Sequence, residues 1–159
     1  MSFFDYPTAG DEDVGRQERY FLPDCSQQDW SLLLEYTSRR HFHAGDTVIE
    51  PTQSERALYI VIDGMLEVLS AKKRRGRRRR LAALGPGTVI GELSFFDGHP
   101  RSAVVVGVTD GELARLSLED LEALAGRRPE LGRAVLFDLG RLIAGRLRDV
   151  QSQVDASEA

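Results

Sequence analysis

The most constraining feature of this sequence is the shortness of its apolar runs. The longest, Ala57-Leu58-Tyr59-Ile60-Val61-Ile62, ends after six residues. A bilayer-spanning helix needs about 20 apolar residues, so no transmembrane segment is expected. From residue 39 to residue 116 such runs recur: Val48-Ile49, Leu58 to Ile62, Met65 to Leu69, Leu81 to Leu84, Val89-Ile90, Ala103 to Val108 and Leu113 to Leu116. Turn chemistry separates them, at Ala44-Gly45-Asp46, Asp63-Gly64, Gly85-Pro86-Gly87 and Asp110-Gly111. Many short strands at this spacing predict a mainly β domain, an antiparallel sandwich or barrel.

Helical periodicity flanks this region. Ser26 is placed to cap a helix whose Trp30, Leu33 and Leu34 share one face, with Asp29 in its first turn. After the strands, Ser117 is a second cap, followed by Leu118, Leu121 and Leu124 at spacing three. Gly126 is expected to stop that helix, and Pro129 to open another that runs to about Val150. Residues 1–25, broken by Pro7, Gly10, Gly15 and Pro23, read as a mostly irregular arm, residues 26–150 as one domain, and residues 151–159 as a frayed polar tail. With 42% hydrophobic and 29% charged residues the chain can bury a core, which excludes disorder throughout.

Charge is unevenly spread. Lys72, Lys73, Arg74, Arg75, Arg77, Arg78, Arg79 and Arg80 fall in one nine-residue window around Gly76. Without those eight, the remaining 13 basic and 25 acidic residues leave a body of −12. The basic run reads as an exposed, mobile hairpin tip with few internal contacts, because clustered cations repel and are costly to desolvate. It is a candidate contact for a polyanion, either nucleic acid or an acidic partner. The lone Cys25 and an acidic N-terminus without a signal-peptide pattern fit a cytoplasmic protein.

The segment from Gly91 to Ala103 carries the chemistry. Gly91 allows a close backbone approach, and residues 92–96 can form one helical turn with free amides. Arg101 supplies a planar cation suited to phosphate, and Ser102 a hydroxyl. Glu92 is unhelpful to a phosphate but suits a ribose hydroxyl. One acid for a sugar hydroxyl and one arginine for a phosphate describe a nucleotide with an intact 2′-OH. The plainer alternative is a surface Glu–Arg pair flanking a turn.

The segment resembles the phosphate-binding cassette of cyclic-nucleotide-binding domains, which begins Gly-Glu-Leu and ends Arg-Ser-Ala or Arg-Ala-Ala. Here Gly91-Glu92-Leu93 and Arg101-Ser102-Ala103 match both ends. Gly45, Gly64 and Gly87 stand at the family's turn glycines, and the likeness extends over about residues 26–150. It implies a jelly-roll, or double-stranded β-helix barrel, with an N-terminal helix, a short cassette helix and two C-terminal helices. It also implies a cyclic-nucleotide ligand, cAMP before cGMP. Glu92 would accept the ribose 2′-OH. Arg101, Ser102 and the amides near Leu93 and Ser94 would hold the cyclic phosphate. Val68, Leu81 and Leu93 would line the purine side, although each serves equally well as barrel core.

The resemblance has two gaps. Catabolite-activator relatives carry a helix-turn-helix domain after the long helix, whereas nine residues follow Val150 here. Those relatives also present hydroxyl-bearing residues to the purine, where this chain has Arg146 and Leu147. Arg146 could stack on a base or bond its edge, but the simpler reading is a solvated helix charge.

Leu136, Ile143 and Val150 recur at spacing seven on the long helix, with Gly140 and Ala144 permitting close approach, and predict a homodimer through residues 130–150. The alternative is a helix buried broadly in its own domain. His41 and His43 alternate on a strand without a third ligand, so no metal is expected. No nucleophile motif or hydrolysis loop appears, so no enzyme activity is expected. The expectation is a regulatory sensor module. Its rivals are a nucleic-acid-binding regulator acting through residues 72–80 and an interaction domain with an unfilled pocket.

Overall fold

The computed structural model describes Phe4, residues 19–51 and residues 53–158. The elements run α1 (Gln27–Glu35), β1 (Ser38–Phe42), β2 (Thr47–Ile49), β3 (Ala57–Asp63), β4 (Leu66–Arg74), β5 (Arg77–Leu84), β6 (Val89–Ile90), α2 (Glu92–Asp97), β7 (Ala103–Gly107), β8 (Gly111–Ser117), α3 (Leu118–Arg127) and α4 (Pro129–Glu158). The strands form two four-stranded antiparallel sheets, ordered β1-β8-β3-β6 and β2-β7-β4-β5. This is the expected jelly-roll, with helices covering the first sheet.

The six-residue apolar run has a direct explanation in this layering. Strand β3 is buried on both faces, so it needs no polar alternation. Leu58 and Ile60 face a cluster shared with the helices, including Trp30, Leu33, Leu121, Leu124, Val135 and Leu139. Tyr59 and Val61 face the other way, into a cluster with Phe42, Ile49, Leu66, Leu84, Ile90 and Val105. That second cluster forms the floor beneath the cavity described below.

The helix starts follow from local chemistry. The Ser26 hydroxyl accepts from the Asp29 amide, and Ser117 with Asp120 forms a reciprocal capping box. Helix α4 begins at Pro129, as expected. Gly126 does not stop α3. The helix continues to Arg127, and Arg128 leaves helical geometry with φ −134° and ψ 83°, because the residue before a proline is pushed toward extended backbone.

Two further expectations need correction. Residues 151–158 of the expected frayed tail are helical: α4 continues to Glu158, since Gln151 to Glu158 contains neither Gly nor Pro to end it. The described part of the N-terminal arm is irregular and packs on the domain. Phe21 and Leu22 are buried, the Leu22 amide donates to Asp138 Oδ2 at 2.6 Å, and the Phe21 amide donates to the Gly87 carbonyl at 2.9 Å. The rest of the arm, residues 1–3 and 5–18, lies outside the described residues. The basic run is the tip of a hairpin whose strands β4 and β5 close through Arg75 (φ 54°) and Gly76 (φ 75°). Two consecutive positive φ values are the pattern of a type I′ hairpin turn. Its internal contacts are not few: the Ser70 hydroxyl donates to the Lys72 carbonyl and accepts from the Arg79 amide, and Arg78 donates to the Ser70 and Ala71 carbonyls.

Candidate functional site

A cavity of about 440 Å³ opens between the second sheet, the α2 segment and the distal half of α4. Ile49, Leu84, Ile90 and Val105 form its apolar floor. Gly91, Glu92, Leu93, Ser94, Arg101, Ser102, Ala103, Val68, Leu81 and Arg146 all line it, so every binding residue expected from sequence converges there. Ile49, Ala82, Leu84, Ile90, Val105 and Val150 complete the lining. The volume is in the range of small-ligand pockets, and a mostly apolar wall with a few convergent polar groups is their usual composition.

Glu92 and Arg101 are not a surface pair. They are 5% and 6% exposed, and with Ser94 and Thr88 they make up the buried polar side chains among the described residues. Nor is each the other's ion-pair partner. Arg101 Nη1 donates to the Gly91 carbonyl at 2.6 Å, and Nη2 donates to the Ala57 carbonyl at 2.7 Å. The Glu55 carboxylate stands 3.6 Å from Nη2. A guanidinium has five N–H donors, so these contacts fix the plane of Arg101 and leave donors over for a ligand.

Gly91 is the pivot of this arrangement. It caps α2 in the left-handed region at φ 80°, and a Cβ there would collide with the Arg101 guanidinium. Only glycine meets both demands.

The segment between β2 and β3 braces the cassette, and sequence reasoning missed it. The Gln53 carbonyl accepts from the Arg101 amide at 2.9 Å. Arg56 donates to the carbonyls of Phe95 and Phe96 at 3.3 and 2.5 Å, satisfying acceptors at the end of α2. The Ser54 hydroxyl donates to the Gly98 carbonyl at 2.8 Å. Glu55 binds Arg115 at 2.5 Å and accepts from the Tyr59 hydroxyl at 3.1 Å. Burial alone would push the Glu55 carboxyl up, but the Arg115 hydrogen bond and charge, with smaller help from Tyr59 and Arg101, outweigh it and hold the group below its ordinary value.

Arg146 is not a solvated helix charge. It reaches from α4 to Glu92 Oε1, and its Nη2 donates to the Val89 carbonyl at 2.9 Å. The mouth beside it is lined by Leu81, Leu93 and Val150, which are 48%, 51% and 56% exposed. Exposed apolar side chains around a cavity with a charged interior suit a ligand having one flat apolar part and one charged part.

Elsewhere, His41 and His43 are exposed, and His43 Nδ1 faces Asp110 Oδ1 at 3.6 Å. No group of three or more His, Cys, Asp or Glu side chains suited to a metal occurs among the described residues. Among those residues, no helix is long and apolar enough to cross a membrane.

Comparison with known proteins gives this geometry a context. The sequence model of the cyclic nucleotide-binding domain matches residues 39–128. A cyclic AMP receptor protein of Thermus thermophilus is 36% identical over 128 residues, covering 80% of this chain and 57% of the relative. The crystal structure of a catabolite activator protein of the same species superposes with a TM-score of 0.74 at 34% identity, covering 85% of this chain and 61% of that one. A cyclic nucleotide-binding domain from Methylobacillus flagellatus superposes with a TM-score of 0.74 at 25% identity, covering 92% of this chain and 83% of that one. The chain therefore spans about three-fifths of the two Thermus proteins.

Proposed function

The chain belongs to the cyclic nucleotide-binding domain family, and from that premise we propose that its cavity binds a cyclic nucleotide, cAMP before cGMP, as the input of a non-catalytic regulatory module. The observation that carries this reading is the pair of buried opposite charges, Glu92 and Arg101, lining one apolar cavity from the two ends of a single segment. Arg146 partly compensates Glu92, and two carbonyls with Glu55 compensate Arg101, yet both groups face the cavity with bonding capacity to spare, which suits a ligand that offers a hydroxyl to the acid and an anion to the guanidinium.

In this reading Arg101 grips the cyclic phosphate with the Ser102 hydroxyl and the first amides of α2. Glu92 accepts the ribose 2′-OH. Val68, Leu81 and Leu93 hold the purine, with Val150 and Arg146 closing over it from α4. Preference for cAMP rests on the relative described as a cyclic AMP receptor protein. The cytoplasm, where a lone thiol such as Cys25 persists, is the compartment assigned.

The output runs through α4. Leu136, Gly140, Ile143, Leu147, Val150 and Val154 follow one another at alternating spacings of four and three along it. All but Ile143 are exposed, and Ile143 is half-buried. An apolar stripe with that alternation is the seam of a two-stranded coiled coil, so the domain is assigned a homodimer through this helix. Nucleotide binding would shift the balance between two placements of α4 by favouring the one in which Arg146 and Val150 close the cavity.

Calorimetric titration with cAMP, cGMP and cyclic dinucleotides tests the reading. One mole of cAMP per chain, bound more tightly than cGMP, is the expected result. Absence of binding by every cyclic nucleotide would remove it.

A further inference from the structure

Strand β4 has two neighbours only over its first half. It pairs with β7 from Leu66 opposite Gly107 to Ser70 opposite Ala103, and there β7 begins. Beyond Ser70, β4 and β5 continue alone as a two-stranded ribbon, with Lys73 opposite Arg78 and Arg74 opposite Arg77. Of the eight cations of the basic run this ribbon carries seven, and Arg80, opposite Leu69, sits at its base. Two of them hold the ribbon itself: Arg78 on the Ser70 and Ala71 carbonyls, and Arg80 at 3.5 Å from Glu67. Lys72, Lys73, Arg74, Arg75, Arg77 and Arg79 are exposed, and among the described residues they have no acidic partner.

We propose that this ribbon is a sequence-independent binding element for duplex DNA. A two-stranded antiparallel ribbon fits the B-form major groove, which is about 12 Å wide. Residues 71–75 at about 3.3 Å each project the turn roughly 15 Å from the sheet. That exceeds the Debye length of about 8 Å at physiological salt, so phosphates at the tip are screened from the acidic body. Six of the eight cations are arginines, whose planar fork binds phosphate oxygens in pairs. From Lys72 to Arg80 no side chain is apolar, so the ribbon has nothing to insert into a lipid surface. Those residues other than Gly76 are all cations, and their contacts with phosphate oxygens position without specifying. The inference does not depend on which ligand fills the cavity.

Fluorescence anisotropy tests it, using the full chain without nucleotide and a labelled 25-base-pair duplex of mixed sequence. Micromolar binding at 50 mM salt is expected, independent of sequence. Its log–log salt slope should be about −4 to −5, as for roughly five neutralised phosphates. The variant Arg74→Ser/Arg75→Ser/Arg77→Ser/Arg79→Ser alters exposed side chains only. It should keep the wild-type circular dichroism spectrum and melting temperature while its slope falls by about one per arginine removed. The double variant Arg74→Ser/Arg77→Ser, which leaves the turn untouched, should fall halfway. No anisotropy change at 50 mM salt overturns the proposal, as does wild-type binding by the fourfold variant. Tighter binding to duplex RNA than to DNA, or binding to phosphatidylserine vesicles without binding to DNA, overturns it equally and puts that surface in its place.

Discussion

Arg146, just past the middle of the 30-residue helix α4, donates to the buried carboxylate of Glu92, 54 residues earlier in the chain. This pair joins the distal half of α4 to the one acid that lines the cavity. A ribose hydroxyl that takes Glu92 must share the carboxylate with Arg146 or displace it. In the proposed function, occupancy of the cavity and placement of α4 would therefore be linked, and such linkage acts equally in both directions.

The first prediction concerns that carboxylate. A 2′-deoxy cyclic nucleotide should bind wild type less tightly than the ribose form, by about 1–2 kcal/mol or roughly 5- to 30-fold for one hydrogen bond to a charged acceptor. In Glu92→Gln the difference should shrink, because an amide accepts more weakly than a carboxylate. Equal discrimination by wild type and variant would show that Glu92 does not contact the ribose.

Arg101→Ala should lose about 2–4 kcal/mol of nucleotide affinity, roughly 30- to 1000-fold. It also frees the carbonyls of Gly91 and Ala57, so a fall in melting temperature should accompany it. Arg101→Lys separates the two effects. An ammonium can restore charge but not the fixed plane held between two carbonyls, so this variant should melt near wild type and still bind at least tenfold more weakly. Wild-type affinity in Arg101→Ala would refute the site.

The homodimer prediction is best tested at Leu147, which is 58% exposed on α4, rather than at half-buried Ile143. Leu147→Asp places a charge in the proposed seam without disturbing the monomer core. Light scattering at tens of micromolar should give twice the chain mass for wild type and a shift toward 17.7 kDa for the variant. A wild-type monomer at that concentration would leave α4 as a lid alone.

Much of this site was legible because its chemistry is local. Gly91-Glu92-Leu93 and Arg101-Ser102-Ala103 lie within one segment of sequence, where the resemblance to the phosphate-binding cassette decided between one ligand site and a surface pair. The caps at Ser26 and Ser117 were legible for the same reason: a hydroxyl three residues before an acid is a short-range signal. The bracing by Gln53, Glu55 and Arg56 was not, because it arises where the β2–β3 connection passes the cassette. No pattern in residues 53–56 announces that they will meet residues 91–101. The role of Arg146 was hidden likewise, since an arginine on a helix is ordinarily solvated. The hairpin tip was legible from Gly76 between two strand-like stretches, but its internal contacts were not, because nothing in a run of cations shows that Ser70 and Arg78 will bond across it.

Acid should weaken the brace at Glu55. Its folded-state carboxyl is held below the ordinary glutamate value, so on acidification the unfolded chain takes up this proton first. The stability it contributes is complete above the ordinary value of about 4.3 and is lost as pH falls through the lower folded value. Glu55→Gln should therefore melt earlier than wild type at pH 7, and the two curves should converge below about pH 4. Parallel curves down to pH 3 would mean that Arg115 and Arg101 do not depend on this charge.

The last prediction isolates the pivot. Gly91 and Gly45 share nearly the same left-handed backbone, at φ 80° and 88°. An alanine at either should cost about 1–2 kcal/mol of stability from backbone strain alone. Their surroundings differ. A Cβ at Gly45 meets open space, whereas one at Gly91 meets the Arg101 guanidinium. Gly45→Ala should therefore melt earlier and bind nucleotide as wild type does. Gly91→Ala should melt earlier too, but its methyl group displaces Arg101 from the carbonyls that orient it, and affinity should fall to the level of Arg101→Ala. Calorimetry on the two alanine variants, side by side, separates strain from displacement. Wild-type affinity in Gly91→Ala would show that Arg101 finds its phosphate without the Gly91 carbonyl.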